Sequence, residues 1–304
     1  MSVYGPDINH LLTYLLTCVD VNCMLMVSCT VPRLTQTLPM PDVIQGVTQL
    51  FDELFILHAR DAEQVEVYTT AGDYMRVRCL TIPELGKLGV CDITSCEQNR
   101  CVYLSNTDKD SIHVVVLKGA SGKFSKWTLS ETPCGLSVTE TGSLLVTAIR
   151  TRRLLEFNPR GNCIRTVKLH AELENPYHSI RLASGNFVLC CVGGLDRLHR
   201  VCIVNPEGKV EQSYGSSSGG GEGQLNYPTH IAVDKDEFVF VADRDNARIV
   251  LLNPSLQFVC FVLPNELLLR TNHVYINHAS NRLYTSSRVF HPLQGRSDVN
   301  VVQL

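Results

Sequence analysis

Three histidines at equivalent positions of a repeating pattern are the strongest candidates for chemistry in this sequence. His178 and His230 each lie two residues after a proline that precedes a strand-like run, Pro176 and Pro228. His273 takes the same position in a weaker copy of the pattern. Imidazoles that converge from separate elements often bind a metal ion. The spacing therefore identifies these three histidines as a candidate site for zinc or calcium.

The same histidines also have a purely structural interpretation, in which each one hydrogen-bonds the backbone of a neighbouring repeat. Buried polar groups are nearly always hydrogen-bonded, so this interpretation needs no cofactor. The enzymatic alternative is a metal-dependent lyase or hydrolase, with Asp92 near the histidines. Outside this cluster the sequence has no nucleophile elbow, no phosphate-binding glycine-lysine loop and no His-Glu-x-x-His motif. We therefore expect no catalytic residues and no cofactor, and a protein that is not an enzyme.

A group of arginines is the second candidate site. The segments predicted to join the second and third strands of each repeat sum to a formal charge of +3, whereas the whole chain carries −3. Guanidinium groups suit phosphate or carboxylate partners. The alternative is a solvated loop face. The predicted partner-binding residues are Arg150, Arg152, Arg153, Arg197 and Arg200.

The repeat that must position these residues is clearest in residues 219–252, GGGEGQLNYPTHIAVDKDEFVFVADRDNARIVLL. Three β-rich runs separated by polar turns predict an antiparallel meander. One such meander cannot bury both of its faces, so it needs copies of itself. The residue two after each strand-opening proline, or its counterpart in the weaker copies, recurs at spacings of 46, 43, 43, 52 and 43 residues. We call these six positions the anchor ring: Gly46, Asp92, Gly135, His178, His230 and His273.

A strand-only period of this length predicts an all-β fold, a six-bladed β-propeller of four-stranded antiparallel blades. Residues 219–252 also resemble the NHL repeat, through the Gly-Gln-Leu lead, Pro-x-x-Ile-Ala-Val-Asp, Val-Ala-Asp, Asn and Arg-Ile. The resemblance implies a propeller similar to the C-terminal domain of tripartite-motif NHL proteins, whose relatives bind RNA or proteins. The sequence has no RING-type or B-box cysteine–histidine pattern, so ligase activity does not follow.

The N-terminus divides into two parts. Residues 1–23 do not fit the repeat and are predicted to form an extension with a short helix, whereas residues 24–304 form the propeller. The last unit is shorter than the others by about one strand. Either residues 24–30 or residues 33–40 would supply that strand, so we expect the ring to be closed by an N-terminal strand.

Composition sets the remaining expectations. The hydrophobic fraction of 44% is ample for a core, and no run approaches the 18 apolar residues of a membrane span. The first basic residue is Arg33, which argues against a secretory signal and favours a cytoplasmic location. The function predicted is a monomeric, non-catalytic scaffold whose basic loop face binds a protein or single-stranded RNA, with no DNA or membrane partner. The candidate platforms for stacking RNA bases are few: Phe290 with His291, Tyr177 and Tyr227.

Overall fold

A computed structural model describes residues 32–59, 64–85, 89–118, 121–193, 198–263, 270–291 and 294–304. These residues are all-β, and their 24 strands form six four-stranded antiparallel sheets. Among the described residues the only helix is a short 3₁₀ turn, Arg244–Asn246. Within the same residues no helix reaches the length and hydropathy needed to cross a membrane. The prediction of a six-bladed β-propeller is confirmed.

Each sheet is one blade, and its strands follow one another in sequence except at the closure. Strand β1 spans Arg33–Met40. Blade 1 contains β2 (Ile44–Leu50), β3 (Glu53–His58), β4 (Gln64–Thr69) and β5 (Arg76–Thr81). Blade 2 contains β6 (Val90–Cys96), β7 (Cys101–Asn106), β8 (Ser111–Lys118) and β9 (Ser121–Thr128). Blade 3 contains β10 (Pro133–Val138), β11 (Leu144–Ala148), β12 (Arg153–Phe157) and β13 (Cys163–Lys168).

The second half of the chain repeats this plan. Blade 4 contains β14 (Pro176–Arg181), β15 (Phe187–Val192), β16 (His199–Val204) and β17 (Val210–Tyr214). Blade 5 contains β18 (Pro228–Val233), β19 (Val239–Asp243), β20 (Arg248–Leu252) and β21 (Phe258–Phe261). Blade 6 contains β22 (Thr271–Asn277), β23 (Arg282–His291), β24 (Gln294–Gln303) and β1.

The ring is closed by β1, as the short last unit predicts. Strand β1 pairs antiparallel with β24, from Arg33 opposite Gln303 to Met40 opposite Ser297. Residues 33–40 therefore supply the outer strand of blade 6, and the alternative segment, residues 24–30, lies outside the described residues. The predicted extension, residues 1–23, lies outside them too. Pairing the two ends of the chain leaves β24 without a free edge.

The apolar core is divided among the blade interfaces. Six clusters of buried residues each join two consecutive blades, and one of them joins blade 6 to blade 1 through Tyr284, Val301 and Val47. This distribution follows from sequence, because middle strands of the blades carry near-continuous apolar runs that are buried on both faces. Each blade is thus stable only between its neighbours.

An ion pair fixes the loop before the fifth blade. Asp243 accepts hydrogen bonds from the Asn226 amide (2.6 Å), the Asn246 side chain (2.8 Å) and Arg248 Nε (2.6 Å). The Arg248 guanidinium also donates to the carbonyls of Gly220 and Gln224. These contacts tie the glycine-rich lead of the repeat to the strands of its own blade.

Candidate functional site

A β-bulge at the same place in every inner strand positions the candidate site. The pairing register of β2, β6, β10, β14, β18 and β22 shifts by one residue next to the anchor-ring position. An extra residue at a bulge allows two consecutive side chains to face the same side of a strand. Each blade therefore offers the channel an anchor residue and the residue before it.

The residues before the anchors form a second ring, which we call the bulge ring. All six of them line one cavity of about 350 Å³. The bulge ring consists of Gln45, Cys91, Cys134, Tyr177, Thr229 and Asn272. We call this space the upper cavity. It lies on the face that carries the loops between second and third strands, because Ala59 and Arg244 of those loops also line it.

The anchor ring brings one carboxylate and three imidazoles together, all from different blades. Asp92, His178 and His273 are each 2% exposed, and His230 is 8% exposed. The rings of His178 and His230 stack with centroids 3.7 Å apart, and those of His230 and His273 lie 3.8 Å apart. We call these four residues the channel cluster. The structure thus assembles all three predicted histidines with the acidic residue expected near them.

Asp92 is the hub of the channel cluster. Its Oδ1 accepts from the Ile93 amide (2.8 Å) and from His273 Nε2 (3.0 Å), and its Oδ2 accepts from the Leu136 amide (2.7 Å). His230 Nε2 and His178 Nε2 lie 3.4 and 3.7 Å from the same Oδ2. Three donors compensate the carboxylate for the loss of water that burial imposes.

Two glycines give the imidazoles their space. A Cβ on Gly135 would lie 2.7 Å from the Cα of His178 and 2.9 Å from its ring. A Cβ on Gly46 would lie 2.7 Å from the Ile93 side chain and would be in ordinary contact, at 3.4 Å, with the ring of His273. Because these glycines flank Asp92 in the anchor ring, the side chains of blades 4 and 6 can occupy the channel beside them.

The hydrogen bonds fix the tautomers of two imidazoles. His178 Nε2 lies 2.9 Å from the Leu136 carbonyl, which can only accept, so Nε2 carries the proton. The same holds for His273, whose Nε2 faces the Asp92 carboxylate. In a neutral imidazole the other nitrogen, Nδ1, then holds a free lone pair. The Nδ1 atoms of His178, His230 and His273 are buried and have no partner among the described residues.

The pKa values of Asp92, His178 and His230 determine the protonation of these three residues at neutral pH. Burial lowers the pKa of His178 to about 3, and the neighbouring His230 contributes to the shift. Burial likewise lowers the pKa of His230 to about 4, with a contribution from His273. Burial alone would raise the pKa of Asp92, but His230 and the hydrogen bond from His273 outweigh it and hold that pKa below its usual range. Asp92 is therefore ionised while His178 and His230 are neutral.

The channel cluster separates the upper cavity from a second space of about 290 Å³, which we call the lower cavity. His230 and His273 line both. Apolar side chains of the inner strands, such as Ile93, Leu136 and Ile231, make most of the wall of the lower cavity. The polar groups of the channel are thus concentrated in the cluster and in the upper cavity.

The predicted partner-binding arginines lie apart from the channel cluster. Arg153 pairs with Glu131 (2.6 Å), and Arg152 and Arg200 donate to the carbonyls of Ala171 (3.2 Å) and Glu172 (2.8 Å). Arg150 is exposed, and Arg197 lies outside the described residues. None of the described members lines either cavity. Their contact with a partner stays a prediction.

Sequence reasoning missed the arginines that do line the channel. Arg244 and Arg270 belong to the wall of the upper cavity, together with the bulge ring. Each of them lies within three residues of the end of a strand, before β20 or β22. The net charge of a whole loop does not show which of its side chains lines the channel. The bulge ring was missed because no residue type marks a bulge.

No protein-family model matches the sequence, and a search of curated proteins finds no match. Solved structures do resemble it. A catalytically inactive histidine-to-alanine variant of virginiamycin B lyase from Staphylococcus aureus, with quinupristin, is 12% identical; the alignment covers 90% of this chain and 99% of that one, with a TM-score of 0.58. A streptogramin B lyase is also 12% identical, over 88% and 97%, with a TM-score of 0.58.

A third similar structure is the PQQ-bound aldose sugar dehydrogenase of Streptomyces coelicolor. It is 13% identical, over 89% of this chain and 98% of that one, with a TM-score of 0.62. At these identities the likeness establishes the propeller fold.

These findings correct two predictions. The protein was expected to be a non-catalytic scaffold and not an enzyme, but the propellers that it resembles are lyases and a sugar dehydrogenase. The physical reason for the error lies in the channel. Arginine-rich loops were taken as the functional feature, whereas four of the thirteen buried polar side-chain atoms without partners among the described residues lie together on the channel histidines.

Proposed function

We propose that this protein is a metal-dependent propeller enzyme, a lyase or hydrolase, whose reaction takes place at the channel cluster. The observation that carries the proposal is the set of buried Nδ1 atoms on His178, His230 and His273 without partners among the described residues. Buried polar atoms without partners are rare and call for an ion, a water or a ligand. The likeness to lyases, one of them inactivated by the loss of a histidine, supports this choice.

The donor set favours zinc over calcium. Asp92, His178 and His230 each bring one ligand atom within 4.8 Å of those of the other two. Two imidazoles and one carboxylate match a catalytic zinc site, which keeps one open position, whereas calcium requires six to eight oxygen ligands. A zinc ion bound there would polarise a substrate oxygen or acidify a bound water.

His273 is the proposed general base. It lies outside the set of three metal ligands, and Asp92 fixes its tautomer so that the Nδ1 lone pair is free. This is how a carboxylate prepares a histidine for proton transfer in other enzymes. In an elimination, Nδ1 takes the proton from carbon, the C–H electron pair forms the new double bond, and the leaving group departs. In a hydrolysis it takes the proton from the attacking water.

We also propose that the repeats are of the NHL type. The NHL-like elements of residues 219–252 form one network, in which Asp243 and Arg248 hold the Gly-Gln-Leu lead. The backbone donor to Asp243 is Asn226, on the loop before β18.

Zinc titration tests the metal site. The chelator-treated protein and its His178→Gln and His230→Gln variants are titrated with Zn²⁺ by calorimetry, with His170→Gln, an exposed histidine, as the matched control. We expect one ion per chain in the wild type and the control, and at least about a tenfold weaker affinity in the two cluster variants. Equal affinity in all four proteins would remove the metal site from the proposal.

An activity assay with a separating variant tests the base. Linear and cyclic esters are offered to the zinc-loaded protein, and quinupristin is included because the similar lyase was crystallised with it. His273→Gln is expected to bind zinc like the wild type and to lose at least about a hundredfold in turnover, the usual effect of removing a general base. Undiminished turnover in this variant would show that His273 is not the base.

A further inference from the structure

The upper cavity has a pair of cationic side chains at its mouth. Arg244 lies in the 3₁₀ turn between β19 and β20, and Arg270 immediately precedes β22. Their side chains are 29% and 54% exposed, and both line the cavity whose floor includes His230 and His273. The two guanidinium groups and the channel cluster therefore belong to one space.

Arg244 pairs with a carboxylate through one nitrogen, whereas Arg270 makes only a longer charge contact with the same carboxylate. Arg244 Nε lies 3.1 Å from Asp245 Oδ1, and Arg270 Nε lies 3.8 Å from the same oxygen. The Tyr227 ring supports Arg244, whose Cζ lies 4.1 Å from the ring centroid. Among the described residues, none accepts a hydrogen bond from the terminal nitrogens of either arginine.

The backbone around this pair is strained. Arg270 has φ 48° and Tyr227 has φ 62°, both in the left-handed region that residues other than glycine rarely adopt. Asn175, at the equivalent position directly before β14, also has a positive φ of 40°, so the left-handed residue before an inner strand is a feature of the repeat. In blades 5 and 6 this turn places Tyr227 and Arg270 in the wall of the upper cavity or against it.

We propose that the substrate is a small molecule with a single carboxylate, which Arg244 and Arg270 bind while its reacting end lies at the channel cluster. The placement of the reacting end at the channel cluster rests on the proposed function. Free guanidinium nitrogens form paired hydrogen bonds with a carboxylate. A cavity of about 350 Å³ suits a small molecule rather than a polymer.

The charge balance favours one carboxylate over a phosphate. Arg244 and Arg270 together with Asp245 leave a net charge of +1 at the mouth, and a monocarboxylate neutralises it. In the zinc-free protein, a phosphate dianion would leave an excess negative charge in a cavity whose floor contains the ionised Asp92. Burying an uncompensated charge is strongly unfavourable.

Binding of three matched probes tests this inference. Benzoate, benzamide and phenyl phosphate are titrated calorimetrically into the zinc-free protein and into the Arg244→Gln and Arg270→Gln variants, with Arg150→Gln as the control. Benzoate is expected to bind the wild type and the control at least about tenfold more tightly than benzamide, and to lose that advantage in both cavity variants. Arg270 is the decisive position, since its side chain is mostly exposed and its replacement leaves the fold intact.

An opposite variant makes the test sharper. Asp245→Asn removes the carboxylate that the two arginines share, so benzoate should bind it more tightly than the wild type. Equal binding of benzoate and benzamide, no benzoate binding, tighter binding of phenyl phosphate, or unchanged affinity in Arg270→Gln would each overturn the inference. Because zinc is absent, these results do not depend on the metal site, and failure of the zinc titration would not alter them.

Discussion

Replacing Asp92 by asparagine is the most informative single change in the channel. A carboxamide cannot accept all of the hydrogen bonds that the carboxylate accepts. Its Oδ1 accepts from the Ile93 amide and from His273, and its Oδ2 accepts from the Leu136 amide. An asparagine has one accepting oxygen and one donating nitrogen. In either orientation of the amide, its NH₂ group faces at least one buried N–H donor.

The size of the effect follows from those contacts. Hydrogen bonds to a charged group contribute about 1.5–3 kcal/mol each, so three of them sum to about 4.5–9 kcal/mol. The substitution also removes the desolvation penalty of a buried anion, which offsets part of that loss. We therefore expect Asp92→Asn to reduce the free energy of unfolding by about 3–5 kcal/mol, the range seen when one partner of a buried ion pair is removed.

Urea unfolding at pH 7.5, in the presence of a chelator, measures this loss without a contribution from bound metal. Asp236→Asn, at an exposed position in a turn, is the matched control and should change the unfolding free energy by no more than about 0.5 kcal/mol. A loss below about 1 kcal/mol for Asp92→Asn would refute the reasoning, since it would mean that the carboxylate is not the hub that its contacts indicate.

Three further predictions concern stability. Because burial lowers the pKa of His178, His230 and His113, the unfolded chain takes up protons first as the pH falls below about 6.5, and each of these histidines should cost about 1.6 kcal/mol of stability between pH 6.5 and 5.0; urea unfolding should show a loss that His178→Gln reduces by about that amount, and a flat profile would contradict it. Gly135→Ala should lose about 1–3 kcal/mol in the same measurement, since its Cβ would lie 2.4 Å from a carbonyl oxygen, whereas Gly220→Ala, with its nearest atom at 3.4 Å, should not. Deleting residues 1–40 removes β1 with its buried Leu38 and Met40 and should cost at least about 3 kcal/mol; a thermal melt equal to that of the full chain would disprove closure by β1.

The sequence predicts those parts of the fold that depend on a local pattern repeated along the chain. The strand-opening proline recurs in three units, and the three weaker copies keep the spacing, so the anchor ring could be placed by counting, and His178, His230 and His273 converge. The missing strand of the last unit could be predicted by the same counting. Both inferences need only the period and the rule that a sheet edge must be covered.

The contents of the upper cavity could not be predicted in this way. Cys91 and Tyr177 face the channel because of a one-residue shift in hydrogen-bond register, and a bulge has no fixed residue type. Arg270 reaches the cavity through a left-handed backbone conformation that the sequence does not mark with glycine or asparagine. Charge counted over whole loops favoured Arg152 and its neighbours, although net charge says nothing about which side chain turns toward the axis.

The asymmetry of the anchor ring supports the proposal that the channel cluster is a reaction site and not only part of the packed core. Six identical side chains at the anchor positions would fill the channel most regularly, and close packing of a core requires nothing more. Here Gly46 and Gly135 leave room on either side of Asp92, so that histidines of blades 4, 5 and 6 can approach one carboxylate from blade 2. A buried carboxylate among neutral imidazoles with free lone pairs contributes less stability than apolar residues of the same volume would. The six blades carry different residues at the anchor position, and four of these residues are ionisable. The proposed reaction site at the centre of the propeller requires such groups.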